Sequence, residues 1–310
     1  MDLLDRIRAR DTRATARALT LVENGDEPML AALDAAHAAL PHPERIGVTG
    51  PPGAGKSTLT SALIKHLRGA GKRVGVVAVD PSSPFSGGAL LGDRLRMTEH
   101  ALDPDVFVRS MASRGRFGGL AIGAHDACDV LALAGFDPVI VETVGVGQSE
   151  VDIARLADTT VVVLTPSAGD SVQALKAGIM EIADVVAINK ADQPGAARLE
   201  EDVREALELR PHGAGPHWQP PVVRSVATKG EGVAALADAI AQHRAFLEAN
   251  NVMSQVRATR AKARLVDLAG EALLKAVSAS PLFERVSGQV SAGTLSPRAA
   301  VSELLRTLGV

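Results

Sequence analysis

The 310-residue chain predicts an α/β fold: a mostly parallel, doubly wound sheet with helical extensions before and after it. Three observations carry that reading. Seven short apolar runs, at 45–49, 73–79, 106–110, 138–142, 159–164, 184–188 and 222–226, alternate with helical patterns. Each run is continuously apolar or nearly so, as strands buried on both faces are. A glycine-rich loop joins the first run to the helix after it. Residues 1–42 and 249–310 hold helical periodicity without such runs. The chain therefore divides into an N-terminal helical extension (1–42), a central α/β domain (43–248) and a C-terminal helical arm (249–310).

In order, Leu3, Leu4 and Ile7, then Ala14, Ala18, Leu21 and Val22, then residues 30–40 space their apolar side chains as helices do. Pro41-His-Pro43 closes that region. The central runs follow, with a Pro/Gly/His-rich loop at 211–221 before the last of them. His212 and His217 lie in that loop, where solvation outweighs metal binding as an explanation. After Asn250, Arg257, Arg260, Lys262 and Arg264 form a basic stretch, followed by Leu265, Leu268, Leu273, Leu274 and Val277. A second amphipathic segment spans 297–308. Helices outside a finished sheet need another surface. A second copy of the chain, forming a homodimer, is the expected partner, with docking on the chain's own sheet as the alternative.

Composition narrows the function classes. The chain is 46% hydrophobic with a net charge of −3, so neither nucleic acid nor an acidic membrane is an expected partner. Aromatics are only 2%, which leaves no stacking platform for single-stranded bases. No apolar run approaches membrane-spanning length, and Met1-Asp-Leu-Leu-Asp opens an acidic amphipathic stretch rather than a signal peptide. A lone cysteine, Cys128, excludes an internal disulfide and suits a reducing cytoplasm. It falls in the Ala-rich helical pattern 121–134 and reads as core packing.

Gly50-Pro-Pro-Gly-Ala-Gly-Lys-Ser-Thr58 sits between the first strand run and a helix. That order is the one a P-loop NTPase requires: loop N–H groups and a helix N-terminus make a positive cradle for phosphates. Gly50, Gly53, Ala54 and Gly55 let the backbone approach the anion. Lys56 is placed to reach the β- and γ-phosphates, Ser57 to ligate Mg²⁺, and Thr58 to continue the cradle. After the run at 184–188 comes Asn189-Lys190-Ala191-Asp192. An Asp192 carboxylate accepts hydrogen bonds from guanine N1 and N2 together; adenine has no such donor pair, so the site selects GTP or GDP. Lys190 would lie along the base plane, and Asn189 would tie loops together. Glu142 ends another strand run with Gly145 three residues later. An acid there contacts Mg²⁺ directly or through water, and the glycine N–H can sense the γ-phosphate. Asp80 also ends a run, as a further Mg²⁺ candidate or as a turn cap.

Together these segments resemble the MeaB/ArgK/MMAA family of GTPases, which assist adenosylcobalamin-dependent acyl-CoA mutases. The most specific blocks are residues 79–97, from Val-Asp-Pro-Ser-Ser-Pro-Phe to Leu-Arg-Met, and 142–150, Glu-Thr-Val-Gly-Val-Gly-Gln-Ser-Glu. Residues 109–119 and 168–179 are similar as well. The resemblance implies that Asp80, Asp93 and Glu142 surround Mg²⁺ with Ser57. It places the two nucleotide switches around Asp93 and after Glu142, and a third switch loop at 169–178 with Asp170 and Lys176. From the residues alone, that last stretch is a capped helix. Two positions depart from the family pattern. The last guanine-side loop reads Ser225-Val226-Ala227-Thr228 instead of a Ser-Ala pair, and the phosphate loop carries Pro51-Pro52. Backbone N–H groups of Val226, Ala227 and Thr228 suffice for the first.

The expected chemistry is in-line attack of water on the γ-phosphorus of GTP, with Lys56, Asp93 and Glu142 as the catalytic candidates. Gln148, six residues past Glu142, is left without a role. The resemblance makes the mutase the partner, with nucleotide state gating cobalamin loading and protecting the mutase from inactivation. The rivals are a nickel-insertion GTPase, which typically carries Cys/His clusters, a P-loop kinase, and a scaffold with a vestigial nucleotide site.

Overall fold

The computed structural model describes residues 2–80, 98–100, 102–112, 121–143, 152–166, 179–210 and 215–309; the side chains of residues 80, 98, 112, 121 and 122 are also outside the description. Its centre is a seven-stranded sheet in the order β3-β2-β4-β1-β5-β6-β7. The strands are β1 (Arg45–Thr49), β2 (Val74–Asp80), β3 (Val106–Ala112), β4 (Val139–Thr143), β5 (Thr159–Leu164), β6 (Val185–Ile188) and β7 (Val222–Arg224). Each neighbouring pair is parallel. The expected runs are therefore the strands, with ends shifted by one or two residues. β3 runs on to Ala112. β7 stops at Arg224, because Val226 turns out of the sheet to bridge Glu231 instead. Every residue of β1, β4, β5 and β6 is buried, as central parallel strands require.

Helices cover both faces. Three N-terminal helices, α1 (Leu3–Arg8), α2 (Thr12–Asn24) and α3 (Glu27–Ala36), start with Asp2, Asp11 and Asp26, whose carboxylates accept backbone N–H groups of the first turn. Their apolar faces, including Ile7, Ala18, Leu19 and Leu33, share one core cluster with α5 (Ala121–Leu133) and with Val77 and Val139 of the sheet. The N-terminal segment is thus a layer of the α/β body. Cys128 lies in this cluster, fully buried, and burial pushes its thiol up to about 11. It is a packing residue, as its sequence context indicates.

On the opposite face α4 (Lys56–Gly69) and α7 (Val233–Ala249) lay Leu59, Leu63 and Ile240 against Ile46, Val48 and Val161. α6 (Ala196–Glu208) packs Leu199 and Val203 over Val162 and Leu164 of β5 and Val186 and Ile188 of β6. The arm comprises α8 (Met253–Ala279), α9 (Pro281–Ser291) and α10 (Pro297–Leu308). None of the 27 residues of α8 is buried. Ions hold it to the body instead: Arg260 meets Asp158 at 2.6 Å, and Arg264 meets Asp126 at 2.6 Å and Asp129 at 2.8 Å. Both readings of the arm therefore have a physical basis. One stripe of α8 docks on the chain's own body, while Leu265 and Val266 stay 67% and 71% exposed. Among the described residues no helix is long and apolar enough to cross a membrane.

Candidate nucleotide site

Parallel strands point their carboxyl ends the same way, and loops leaving those ends meet where a ligand can sit. Here the loops after β1 and β6 meet beside the carboxyl end of β4. The phosphate loop leaves β1 at Gly50, whose φ is 137°. A Cβ there would lie 2.1 Å from the Val163 carbonyl oxygen, so only glycine lets the loop lie against β5. Gly55 caps α4 with φ 85°, and a Cβ there would lie 2.5 Å from Asn189 Nδ2. The glycines of this loop thus serve close packing between loops as much as approach to an anion.

Lys56 and Ser57 form the first turn of α4, and both are buried. Lys56 Nζ curls back to donate to the carbonyls of Gly50 at 2.6 Å and Pro51 at 3.1 Å. The ammonium therefore already stands over the loop where phosphates would lie. Ser57 Oγ donates to Glu142 Oε1 at 2.5 Å. Glu142 is fully buried in β4, and beside it Thr143 Oγ1 donates to Thr49 Oγ1 at 3.1 Å.

Asn189 is also buried, and its side chain joins three loops. Its Nδ2 donates to the Ala54 carbonyl at 2.9 Å. Its Oδ1 accepts from the Ala227 N–H at 3.2 Å and from Ser225 Oγ at 3.5 Å. Lys190 adopts a φ of 57° and donates from Nζ to the Gly53 carbonyl at 2.9 Å. Asp192, 44% exposed, pairs with Lys229 at 3.1 Å, and this contact holds the lysine above its ordinary value. A cavity of 820 Å³ lies beside these residues, between Thr58, Ser61 and Lys65 of α4 and the Ala227–Gly230 turn; Lys56, Ser57 and the Asn189–Asp192 tetrad are not in its wall.

The structure thus brings together Gly50, Gly53, Ala54, Gly55, Lys56, Ser57, Thr58, Glu142, Asn189, Lys190, Asp192, Val226, Ala227 and Thr228. Asp80 ends β2 at the same edge of the sheet. Asp93, Gly145, Gln148, Asp170, Lys176 and His212 lie outside the described residues. One participant escaped the sequence reading: Lys229 follows the guanine-side loop Ser225-Val226-Ala227-Thr228 named there, and no spacing marks it.

The chain matches the family model described as methylmalonyl-CoA mutase-associated GTPase MeaB over residues 15–282. It belongs to the MeaB family. A Pyrococcus abyssi relative is 45% identical over 99% of this chain and 96% of its own length. GTPase ArgK of Escherichia coli is 36% identical over 96% of this chain and 93% of its own. The mouse methylmalonic aciduria type A homolog, a mitochondrial protein, is 37% identical over 84% of this chain and 65% of its own length. Among solved structures, an LAO/AO transport system kinase superposes with a TM-score of 0.75 at 30% identity, covering 99% of this chain and 97% of that one. MeaB-family members are GTPases by description, and in this chain the side chains of Asn189 and Lys190 join the glycine-rich loop.

Proposed function

We propose that this chain hydrolyses GTP to GDP and phosphate with Mg²⁺, and that its nucleotide state gates cobalamin loading and protection of an adenosylcobalamin-dependent acyl-CoA mutase. The observation carrying the hydrolysis is the Ser57–Glu142 contact at 2.5 Å, a hydroxyl and a buried carboxylate beside a lysine-bearing phosphate loop. Hard oxygen donors so placed fit a small divalent cation. Ser57 and Glu142 would hold it, with Asp80 and Asp93 completing the set. Bound there, Mg²⁺ would neutralise charge on the β- and γ-phosphates.

The chain's own residues do the remainder. Lys56 swings from its carbonyl partners onto the phosphates, and the α4 N-terminus supplies N–H groups to the same oxygens. Asn189 fixes the distance between phosphate loop and base loop. Asp192 leaves Lys229 to accept from guanine. Gly145 and the switch residues Asp170 and Lys176 belong to this reading as reporters of the γ-phosphate to the partner.

The mutase role rests on the family description, and a homodimer through 249–310 is consistent with the exposed Leu265 and Val266 on α8. The test is GTP turnover with and without a panel of purified acyl-CoA mutases, with ATP and Lys56→Ala as controls. Acceleration by one mutase supports both halves. GTP turnover unmoved by every mutase removes the chaperone half, and turnover of ATP as fast as GTP removes the guanine half.

A further inference from the structure

The 820 Å³ cavity is lined by neither the phosphate cradle nor the base reader, but it touches the flank of each. On one side stands Thr58, in the first turn of α4; on the other stand Ala227 and Thr228 of the guanine-side loop. A nucleotide with its 5′-phosphates over the glycine-rich loop and its base at Asp192 carries its ribose between those flanks. The ribose is therefore the part of the ligand that borders this cavity. A volume of this order holds a whole small-molecule ligand, so a ribose alone leaves most of it open.

Cations line the open part. Thr58, Ser61 and Lys65 follow one another at helical spacing on one face of α4. Lys65 stands about 10 Å along the helix from Thr58. Ser61 is already engaged, its Oγ 2.9 Å from His100 Nε2. Lys65 and His66 are exposed, and among the described residues neither has an ion pair. On the facing turn, Lys229 holds its ammonium on Asp192 at 3.1 Å. Guanine would take that carboxylate, and the released ammonium already lies in the cavity wall. Base binding thus adds a cation to the wall. Against Lys65, His66 and Lys229 the described wall sets one carboxylate, Glu99.

We propose, resting on the guanine-nucleotide reading above, that the cavity takes a diphosphate borne on a ribose oxygen of a guanine nucleotide, with Lys65 and Lys229 as its counter-ions. Ammonium groups bind phosphoryl oxygens as mobile point charges with three donors each. A diphosphate extends further along α4 than a monophosphate, toward Lys65, whose four-carbon stem covers part of the distance. A nucleotide that carries diphosphates on both its 5′-oxygen and a second ribose oxygen has no γ-phosphate to transfer. It would compete with GTP and stop turnover, so the site would answer to a second class of guanine nucleotide.

The test is competition against labelled GDP in Mg²⁺ by GDP itself, by guanosine 5′-diphosphate with a second diphosphate on its 3′-oxygen, and by the isomer with it on the 2′-oxygen. Inorganic pyrophosphate is titrated separately into GDP-loaded protein. Lys65→Gln removes a cavity cation from an exposed position, and Lys72→Gln removes the same charge from an exposed position outside the wall. At least one bis-diphosphate should bind about tenfold tighter than GDP. Lys65→Gln should remove most of that advantage while GDP affinity stays within about twofold, and Lys72→Gln should change neither. The tighter isomer identifies the ribose oxygen. Neither isomer tighter than GDP, an advantage that survives Lys65→Gln, or equal losses in the two variants overturns the inference. Pyrophosphate binding beside GDP as tightly as the bis-diphosphate would assign a separate anion and overturn it too. GDP that binds while both isomers gain nothing leaves the guanine reading standing; no GDP binding removes that reading, and this inference with it.

Discussion

Ser57 Oγ and Glu142 Oε1 meet at 2.5 Å across the gap between the first turn of α4 and the end of β4. A hydroxyl donating to a buried carboxylate places both oxygens where they would face a cation, and cation entry needs the hydroxyl proton to turn away and the oxygens to part to about 2.9 Å, the spacing of adjacent ligands around octahedral Mg²⁺. Ser57→Ala deletes one of those oxygens without adding bulk. GTP turnover should fall by at least about 10²-fold, with the loss greatest at low Mg²⁺. Turnover measured across a Mg²⁺ titration checks this. An unchanged Mg²⁺ midpoint would remove Ser57 from the metal site.

Asn189 predicts a different pattern. Its amide satisfies the Ala54 carbonyl and the Ala227 N–H at once, inside a buried junction. Asn189→Ala leaves both without that partner, a cost of roughly 1–3 kcal/mol for such groups. The loss should appear twice, as a lower urea midpoint in nucleotide-free protein and as weaker GDP binding. A variant weak in GDP binding but of parental stability would show that Asn189 acts on the base alone.

Asp192 is where base choice should reside. A carboxylate takes two hydrogen bonds from guanine, whereas a side-chain amide at the same position would face guanine's donors with its own. Asp192→Asn should shift preference from GTP toward xanthosine triphosphate by at least about 10²-fold. Competition binding with both nucleotides reads it directly. The exposed Lys229–Asp192 pair should matter far less: Lys229→Ala is expected to change GTP affinity by less than about fivefold, because such pairs contribute at most about 1 kcal/mol.

The fold was legible because its strands are buried on both faces. Val161, Val162 and Val163 have no polar alternation to obscure them, and the Gly-rich loop after β1 fixes which end carries the ligand. β7 was harder, since Val226 continues the apolar pattern of Val222 and Val223 yet belongs to the turn that bridges Glu231. Within the nucleotide site, the contiguous motifs gave Lys56, Ser57, Asn189 and Asp192. The Lys229 partner of Asp192 was hidden, because a lysine in a polar loop carries no pattern. Hidden more deeply was the 620 Å³ cavity beneath α8, whose lining residues Arg45, His125 and Arg257 come from three separate elements that only folding brings together.

One of the buried histidines makes the fold's pH response testable. His243, on α7, is packed between Trp218 and the sheet, with ring centroids 5.0 Å apart and Nδ1 2.9 Å from Thr159 Oγ1. Burial pulls its imidazole down from 6.5 to about 4. Below pH 6.5 the unfolded chain takes up a proton there that the folded chain refuses until about pH 4. The stability His243 contributes is therefore complete above 6.5 and is lost as pH falls through that window. Asp184 works in the opposite sense: burial raises its carboxyl to about 7, so its contribution declines as pH rises toward that value. Asp184 Oδ1 lies 3.5 Å from His243 Nε2, so comparing two proteins that both keep Asp184 reads the histidine together with its effect on that carboxyl. Between pH 7 and pH 5 the parent should lose about 2 kcal/mol more unfolding free energy than His243→Asn, whose amide can keep the Thr159 contact without titrating. Urea denaturation at the two pH values supplies the comparison. Equal losses in the two proteins would mean that His243 takes up its proton in the folded state as readily as in the unfolded one, and that Trp218 and the sheet do not exclude water from it.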